Sequence, residues 1–369
     1  MELISLFIVI VLIPLVVSTG VLIYNLFTAP IIQNKKILLH ELPLISVLVP
    51  ARNEELNIGE CIESIASQSY PNLEIIIGND ESTDNTYRIA KEFSSKDHRI
   101  SVLNIQPKDQ NWTGKNWACN ELAKSANGDF LLFIDADVRL NSNAISNAVG
   151  LLKKYKLNML SCFPTQVVKS IGEFLIVPMM NWLLLSFLPL KQVYKSDRIS
   201  FAAANGQFIL FDKNDYRAVG GHSSIAGRVV EDMEFARLFK TNGKRIMTTL
   251  GGDAVSCRMY NGFSESVKGF AKNFYRGFNW SPASFVLLLF FFAIVFLLPA
   301  LAILINLSFV WLVLPVVISR AIIALLSKQN IIINVLLHPI QIGLVFLLGF
   351  YSMYVSLNGK SVWKGRKIS

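Results

Sequence analysis

Charged residues are scarce in this chain and nearly absent from its two ends. Only 17% of the residues are Asp, Glu, Lys or Arg, whereas 52% are hydrophobic and the mean hydropathy is +0.44. Residues 3–27 carry no charge, and within 282–357 the only charged residues are Arg320 and Lys328. A membrane-spanning helix needs about 20 mostly apolar residues. This lack of charge excludes an ordinary soluble enzyme and predicts a membrane protein.

The first apolar run lacks the features of a cleaved signal peptide. No Lys or Arg precedes it, its apolar core is long, and Lys35 and Lys36 follow it. We therefore expect residues 1–30 to form an uncleaved transmembrane anchor. Near the other end, three apolar segments at about 283–305, 308–326 and 331–357 predict a transmembrane region over 282–357.

The remaining stretches are assigned by their charge and size. The mixed, charged stretch at about 40–260 has the size of one globular domain. Residues 261–281 are expected to be an interfacial segment, and 358–369 a basic C-terminal tail. Residues 174–190 are uncharged but short and contain Pro178, which favours an interfacial segment or the wall of an apolar acceptor site over a membrane span.

Cysteine and histidine are also sparse, with four of each. The cysteines show no paired spacing and the histidines are scattered, so neither a disulfide framework nor a zinc site is indicated. The net charge is +9, but no Lys/Arg stripe interleaved with aromatic residues accompanies it, which excludes a nucleic-acid partner. The basic residues that flank apolar segments are typical of positive-inside membrane anchors.

The charged stretch alternates short apolar runs with helical patterns. Strands are predicted at 44–50, 73–78, 100–104 and 130–134, with helices between them. This alternation predicts an α/β fold with a mostly parallel sheet flanked by helices. Past residue 160 the alternation weakens, and we predict only one further strand at 207–212 and a helix that begins at Glu231-Asp232 and ends near Gly243.

Polar side chains follow the predicted strands. Arg52 and Glu54 follow the first strand, Asp80 follows the second, and Asp135 and Asp137 follow the fourth. Ligands of parallel sheets collect beyond the carboxyl ends of the strands. We therefore expect these side chains to converge on one edge of the sheet.

Asp135 and Asp137 permit two interpretations. Two residues apart on an extended segment, their side chains would share a face and could bind one ion. Mg²⁺ or Mn²⁺ prefers one or two carboxylates together with substrate phosphate oxygens. An acidic turn exposed to solvent is the alternative.

Three other residues also have a structural alternative. Asp80 would accept a hydrogen bond from a nucleotide base, or it belongs to a cluster of turn formers, as we expect for Asp84. Lys115 follows Gly114 and would lie near phosphates, although the rest of a Walker loop is missing. Asp232 would be a general base, or it is an acid favoured by the helix dipole.

The order of the motifs carries more information than any one of them. The chain runs "VPARNEE", "NDESTD", "GKNWACNELA", "DADV", "NGQFILFDKNDYRAVGGH" and "VVEDMEFA". Over about 45–276 it resembles the family 2 glycosyltransferases, which have the GT-A nucleotide-sugar fold.

The resemblance implies roles for individual residues. Asp135 and Asp137 would bind a divalent metal, Mg²⁺ or Mn²⁺, with Asp137 as the direct ligand, and Asp232 would be the catalytic base. The donor would be a nucleotide-diphosphate sugar, in first place a UDP-sugar. Its binding residues would be Pro50, Arg52, Glu54, Asp80, Lys115, Asp135 and Arg276.

Two departures from the family pattern bear on the predicted activity. The usual Asp-Asp-Gly is Asn79-Asp80-Glu81 here. Arg276 lies in "NFYRG", where the motif typical of processive polysaccharide synthases is Gln-x-x-Arg-Trp. The decay of that motif favours the transfer of a single sugar.

Among family members, the chain resembles the membrane-bound enzymes that act on lipids. "CRMYNGFSESVKGF" and "VWKGR" are similar to the carotenoid glycosyltransferases that act on diaponeurosporenoate, and hopanoid and ceramide glycosyltransferases are similar at this level. A lipid acceptor is therefore implied, carotenoid-like or otherwise apolar. Transfer to polyprenyl phosphate and a non-catalytic nucleotide-sugar-binding subunit remain alternatives.

The donor also bears on the localisation. Nucleotide sugars are cytosolic, so we expect a multi-pass protein of the plasma membrane whose catalytic domain faces the cytoplasm. Three full crossings after that domain would place "KSVWKGRK" outside, against the positive-inside tendency. We therefore expect the middle C-terminal segment, which contains Arg320, to lie on the membrane surface or to re-enter it.

Overall fold

The structure, a computed structural model, describes residues 2–37, 39, 41–107, 111–278, 280–360, 362–364 and 366–367. The chain divides into two compact units. The sheet unit comprises residues 30–165, 191–258 and 363–369, and the helical unit comprises residues 1–29, 166–190 and 259–362. Four positions of the predicted tail, 361, 365, 368 and 369, lie outside the described residues.

A seven-stranded sheet forms the centre of the sheet unit, in the order β3-β2-β1-β4-β8-β6-β9. β1 pairs in parallel with β2 and β4, β2 with β3, and β6 with β9, whereas β8 is antiparallel to both β4 and β6. The predicted α/β fold with a mostly parallel sheet is confirmed. The strands are β1 (Ile45–Ala51), β2 (Leu73–Asn79), β3 (Ile100–Asn104), β4 (Phe130–Ile134), β6 (Met159–Phe163), β8 (Phe208–Asp212) and β9 (Ile246–Leu250).

Helices connect these strands, and their ends set the position of the polar loops. The apolar stripe of Ile58, Ile62 and Ile65 is buried, which orients the first of these helices against the sheet. The helices of the unit are α2 (Ile58–Ala66), α3 (Thr86–Ser94), α4 (Gly114–Ser125), α5 (Ala144–Lys154), α8 (Leu190–Lys195), which begins at its boundary, α9 (Lys213–Ala218) and α10 (Glu231–Thr241). Asp84 accepts hydrogen bonds from the backbone N–H and hydroxyl of Thr86, so it acts in the turn before α3, as expected of a turn former.

Two strands of this sheet, β6 and β9, were not predicted, because polar residues interrupt their apolar runs. Ser161 of β6 donates to the carbonyl of Asn205 at 3.1 Å. Thr248 and Thr249 of β9 donate to the carbonyls of Ala203 and Ser161. These hydroxyls are fully buried but bonded, so the strands tolerate them in the core.

The segment that holds the two carboxylates is not extended. Of the two interpretations of Asp135 and Asp137, the extended arrangement is therefore not observed. Residues 135–137 form a turn between β4 and the short strand β5 (Val138–Leu140). The backbone N–H of Val138 donates to the carbonyl of Asp135 at 3.1 Å and closes this turn. Asp is a common turn residue, because its side chain competes for local backbone groups.

Short strands complete the β-structure. β5 pairs antiparallel with β10 (Val255–Cys257), and β7 (Thr165–Gln166) joins the same small sheet. Near the C-terminus, β11 (Val362–Trp363) and β12 (Arg366–Lys367) form a two-stranded sheet. All four cysteines are buried and free, as their spacing predicted.

The helical unit contains the apolar segments. Within the described residues, four helices have the length and hydropathy to cross a membrane: Val9–Thr28, Pro282–Ile303, Leu307–Leu326 and His338–Leu357. The helices of this unit are α1 (Glu2–Thr28), α6 (Ile171–Ile176), α7 (Pro178–Phe187), α11 (Phe263–Phe278), α12 (Pro282–Phe292), α13 (Leu298–Ile305), α14 (Val310–Leu326), α15 (Ile331–Leu336) and α16 (His338–Leu357). A π-helical stretch, Ala293–Leu297, joins α12 to α13.

Buried polar residues tie these helices together. Asn25 of α1 donates to the carbonyls of Leu185 and Leu188 at 2.9 and 2.8 Å and accepts from the N–H of Leu190 at 2.8 Å. It thereby satisfies backbone groups at the end of α7 that the helix itself leaves unpaired. Arg320 of α14 donates to the side chains of Asn334 and Gln341.

Candidate functional site

The candidate site lies in the sheet unit, in the loops that follow β1, β2 and β4 and at the start of α4 and α10. Pro50 lines a cavity there together with Lys115, Asp135, Gly206 and Glu231. Parallel strands bring these loops to one edge, as the topology of β2, β1 and β4 requires. The predicted convergence of polar side chains is therefore observed for the residues that follow these strands.

Lys115 is the electrostatic centre of the site. Its Nζ lies 2.8 Å from Oδ1 of Asp135 and 2.9 Å from Oε1 of Glu231. Burial lowers the pKa of Lys115, but the two carboxylates outweigh burial and hold the pKa well above its usual value. The ammonium is therefore charged at neutral pH and neutralises part of the acidic cluster.

Asp137 differs from Asp135 because its Oδ1 is buried and has no hydrogen-bond partner. Burial, the charge of Asp135 and that of Glu54 raise the pKa of Asp137 to about 7. A buried carboxylate oxygen without a partner is unfavourable unless a cation or donor compensates it. This side chain thus fits a divalent metal ion.

The protein would not hold such an ion by itself. Among the described residues, no three His, Cys, Asp or Glu side chains form a cluster that could hold a metal. Mg²⁺ and Mn²⁺ sites that use one or two carboxylates take further oxygens from water and substrate phosphates. Asp137, with Asp135 beside it, therefore fits a metal that arrives with a phosphorylated ligand.

Asp232 begins α10 and is held by two backbone N–H groups. Gly206 donates to Oδ2 at 2.9 Å, and Met233 donates to Oδ1 at 2.8 Å. Burial and the adjacent Glu231 raise the pKa of Asp232 to about 7. A carboxylate with this pKa takes up and releases protons near neutral pH.

Gly206 allows this close arrangement. A Cβ at this position would lie 2.9 Å from Oε1 of Glu231 and 3.2 Å from Nζ of Lys115. A side chain there would displace the ion pair. The contact of Glu231 with Lys115 and the role of Gly206 were not predicted. Both residues stand within the motifs "VVEDMEFA" and "NGQFILFDKNDYRAVGGH", but their roles follow from contacts across the fold.

A second cluster of charged residues surrounds Asp80, which is only 4% exposed. Arg52 donates from Nη1 to the carbonyl of Asp80 at 2.7 Å and lies 3.7 Å from Oε2 of Glu81. Asn53 and Glu81 both adopt positive φ, 51° and 50°. The loops after β1 and β2 are thus joined around the Asp80 carboxylate.

The C-terminal segment contributes two cations to this pocket. Nη1 of Arg366 lies 3.0 and 2.7 Å from the two carboxylate oxygens of Asp80, and its Nη2 contacts Glu81. Nζ of Lys364 lies 3.0 Å from Oε1 of Glu54. No sequence pattern predicts that these two residues lie beside Asp80, because 285 residues separate Arg366 from Glu81.

The remaining predicted site residue lies in the other unit. Arg276 belongs to α11 of the helical unit, and its role in donor binding stays a prediction.

Part of the chain matches a known protein family. Residues 46–218 match the model of glycosyl transferase family 2. The 4,4'-diaponeurosporenoate glycosyltransferase of Staphylococcus haemolyticus is 30% identical over 236 residues, 62% of this chain and 60% of that protein. The protein of the same name from Staphylococcus aureus strain USA300 is 29% identical over 244 residues, 63% of this chain and 61% of that protein. The chain thus spans about three fifths of the length of these curated relatives.

A solved structure shows the same fold. The mannosyltransferase PcManGT from Pyrobaculum calidifontis, solved with GDP-Man and Mn²⁺, has a TM-score of 0.52 and 18% identity, with 98% of this chain and 100% of that chain covered. The expected GT-A type of fold is confirmed. Residues 46–218, just under half of the chain, thus match glycosyl transferase family 2, and the fold agrees with that match.

Proposed function

We propose that the protein is an inverting glycosyltransferase that moves one sugar from a nucleotide-diphosphate sugar to a lipid acceptor in the membrane. One observation carries this proposal: the buried Oδ1 of Asp137, which has no hydrogen-bond partner, lies in the turn after Asp135, and Lys115 joins Asp135 to the acidic start of α10. The family match and the relatives named for a carotenoid-type acceptor support the same conclusion.

The nucleoside would bind in the loops that follow β1 and β2. Asp80 offers a buried carboxylate to a base N–H, and Arg52 lies beside it. Glu54 and Pro50 belong to the same loop and strand end. A UDP-sugar is the donor that we would test first.

The diphosphate would lie toward Lys115, Asp135 and Asp137. The fit of Asp137 to a cation supports Mg²⁺ or Mn²⁺ as the cofactor, and Mn²⁺ accompanies GDP-Man in the mannosyltransferase of the same fold. Such a metal would neutralise charge on the departing diphosphate. Lys115 is itself held in the charged form, so it adds a second positive group near the phosphates.

The acceptor would be activated by Asp232. Its carboxylate takes the proton of the acceptor hydroxyl while the acceptor oxygen bonds to the anomeric carbon from the face opposite the diphosphate. The bond from that carbon to the diphosphate oxygen breaks, and inversion follows. The pKa of about 7 lets Asp232 be ionised at neutral pH and still accept a proton.

The membrane supplies the acceptor. Four apolar helices fit a membrane protein, and the relatives are named for a carotenoid acid acceptor. An apolar lipid with a hydroxyl or carboxyl group is therefore the proposed acceptor class. The plasma membrane, with the catalytic domain toward the cytoplasm, is the proposed location, because nucleotide sugars are cytosolic.

The full chain in detergent, given radiolabelled UDP-sugars, metal and bacterial lipid extracts, tests this function. Wild-type protein should label a lipid, and Asp137→Ala should lower the rate by about 100-fold or more, since it removes charge stabilisation of the leaving group. Glu92→Ala, which removes an exposed carboxylate on α3, is the matched control and should keep the wild-type rate.

The product and the binding data separate the alternatives. A product that mild acid cleaves would show polyprenyl phosphate as acceptor. Donor binding without transfer or hydrolysis for any donor would show a non-catalytic nucleotide-sugar-binding subunit. Near-normal turnover by Asp137→Ala would contradict its metal role.

A further inference from the structure

The last described residues of the chain belong to the sheet unit and lie on the loops after β1 and β2. β11 and β12 form a small hairpin, and Lys364 between them has a positive φ of 44°. The hairpin is a built structure that contacts the candidate donor pocket.

The contacts are made to carboxylates of the pocket. Arg366 uses Nη1 to reach both oxygens of Asp80, at 2.7 and 3.0 Å, and Lys364 lies 3.0 Å from Glu54. Lys364 also donates to the carbonyl of Asn53 at 2.9 Å, and its own carbonyl accepts from Nε of Arg52 at 3.4 Å. Together with the contact of Arg366 Nη2 with Glu81, six polar contacts join the hairpin to both loops.

The burial of these groups shows that the contacts are specific. The side chain of Asp80 is 5% exposed and that of Arg366 is 20% exposed. An ion pair shielded from water in this way is screened by salt much less than a surface pair. Removal of one partner leaves the other charge buried and uncompensated.

We propose that this hairpin is an intramolecular occupant of the nucleoside end of the donor pocket and that a nucleotide must displace it to bind. The guanidinium of Arg366 stands where a base N–H would have to approach Asp80, because it takes both carboxylate oxygens. The inference rests on the proposed function, since it takes Asp80 as the base-binding residue. It adds a competition within the chain that the proposed function does not require.

The contacts of the docked hairpin must break before a nucleotide binds, and breaking them costs free energy. The apparent affinity for nucleotide is then lowered by the fraction of molecules whose pocket is open. If one molecule in about ten is open, removal of the Arg366 guanidinium tightens nucleotide binding by about 10-fold.

Calorimetry with UDP on the full chain in detergent tests the competition. Arg366→Ala should bind UDP several-fold more tightly than wild type, and Lys364→Ala should shift the affinity in the same direction. Lys360→Ala is the matched control, because Lys360 is a cation of the same terminal segment whose Nζ contacts Tyr354, outside the pocket. It should bind UDP as wild type does.

Hydrogen exchange of peptides that cover 359–369 gives a second readout. Saturating UDP should speed exchange of this segment in wild type, and Asp80→Asn should speed it without any nucleotide. Equal UDP affinity of wild type and Arg366→Ala, or weaker binding by the variant, would overturn the proposal. Absence of UDP binding by both proteins, each with a wild-type melting transition, would instead show that the proposed function is wrong and the competition with it.

Discussion

Asp232 shows how local packing sets the chemistry of one side chain. Its oxygens accept from Gly206 and Met233, yet burial and Glu231 still raise its pKa to about 7. A surface carboxylate has a pKa near 4 and is a weak base at neutral pH. The start of α10 therefore gives this residue the basicity that proton removal from a hydroxyl requires.

The rate of sugar transfer should follow the ionisation of Asp232. Because the base must be deprotonated, kcat/KM should rise with pH and level off above about 7. Asp232→Asn cannot ionise and should lose transfer while it still binds the donor. Steady-state rates from pH 5 to 9, together with UDP calorimetry on the variant, measure both effects. A variant with more than a tenth of the wild-type rate would contradict the assignment.

The same variant should alter stability in a pH-dependent way. The folded pKa of about 7 lies above the unfolded value of about 3.9, so ionisation of Asp232 opposes folding. Its contribution is fully present below about pH 4 and is lost as the pH rises through 7. Thermal unfolding should show Asp232→Asn gaining roughly 2 kcal/mol on wild type between pH 4 and 8, a figure reduced for the partial exposure of the side chain.

At the scale of elements, the end of α7 depends on one residue of α1. Asn25 is fully buried and bonds three backbone groups, those of Leu185, Leu188 and Leu190. The side chain therefore fixes where α7 ends and α8 begins.

Asn25→Ala should destabilise the protein by about 2–4 kcal/mol, because it leaves buried donors and acceptors unpaired. Thermal unfolding in detergent measures this loss. Asn242→Ala removes an exposed amide that bonds only to Leu238 of its own helix and should change stability by less than about 0.5 kcal/mol. Equal melting temperatures for the two variants would contradict the role of Asn25.

The sequence predicted the elements whose patterns are local. β1, β2, β3 and β4 are short, largely apolar runs, and α10 begins at the predicted Glu231. β6 and β9 escaped prediction because Ser161, Thr248 and Thr249 are made acceptable only by partners elsewhere in the fold. Local pattern cannot reveal a hydrogen bond that tertiary structure supplies.

The sequence predicted only part of the candidate site, for the same reason. Strand ends placed Asp80, Asp135 and Asp137 at one edge, since parallel strands share a direction. The bridge from Lys115 to Glu231 and the pair of Arg366 with Asp80 join distant segments, and no spacing in the sequence reports them. At 135–137 the sequence left an extended segment and an acidic turn as alternatives, and the structure shows a turn.

For the whole molecule, the hairpin at the C-terminus bears on membrane topology. The residues on both sides of the stretch 259–362 belong to the sheet unit. We therefore expect an even number of membrane crossings within this stretch. Three of its helices are long enough to cross. We expect the one that contains Arg320 to remain at the surface or to re-enter.

Labelling of single cysteines in intact cells tests this topology. Ser369→Cys, in a chain whose four buried cysteines are replaced by Ser or Ala, should react with a membrane-impermeant maleimide only after lysis. A cysteine at exposed Leu56 of the sheet unit is the matched control and should behave identically. Labelling of position 369 in intact cells, with none at position 56, would contradict an even number of crossings.

The contact between Arg366 and Asp80 also has a practical consequence for anyone who purifies this protein. A tag fused after residue 369 begins four residues beyond Arg366, whose guanidinium is bonded to Asp80. We expect such a fusion to change nucleotide affinity much as a substitution of Arg366 would. Affinity tags for kinetic work are therefore better placed elsewhere in the chain.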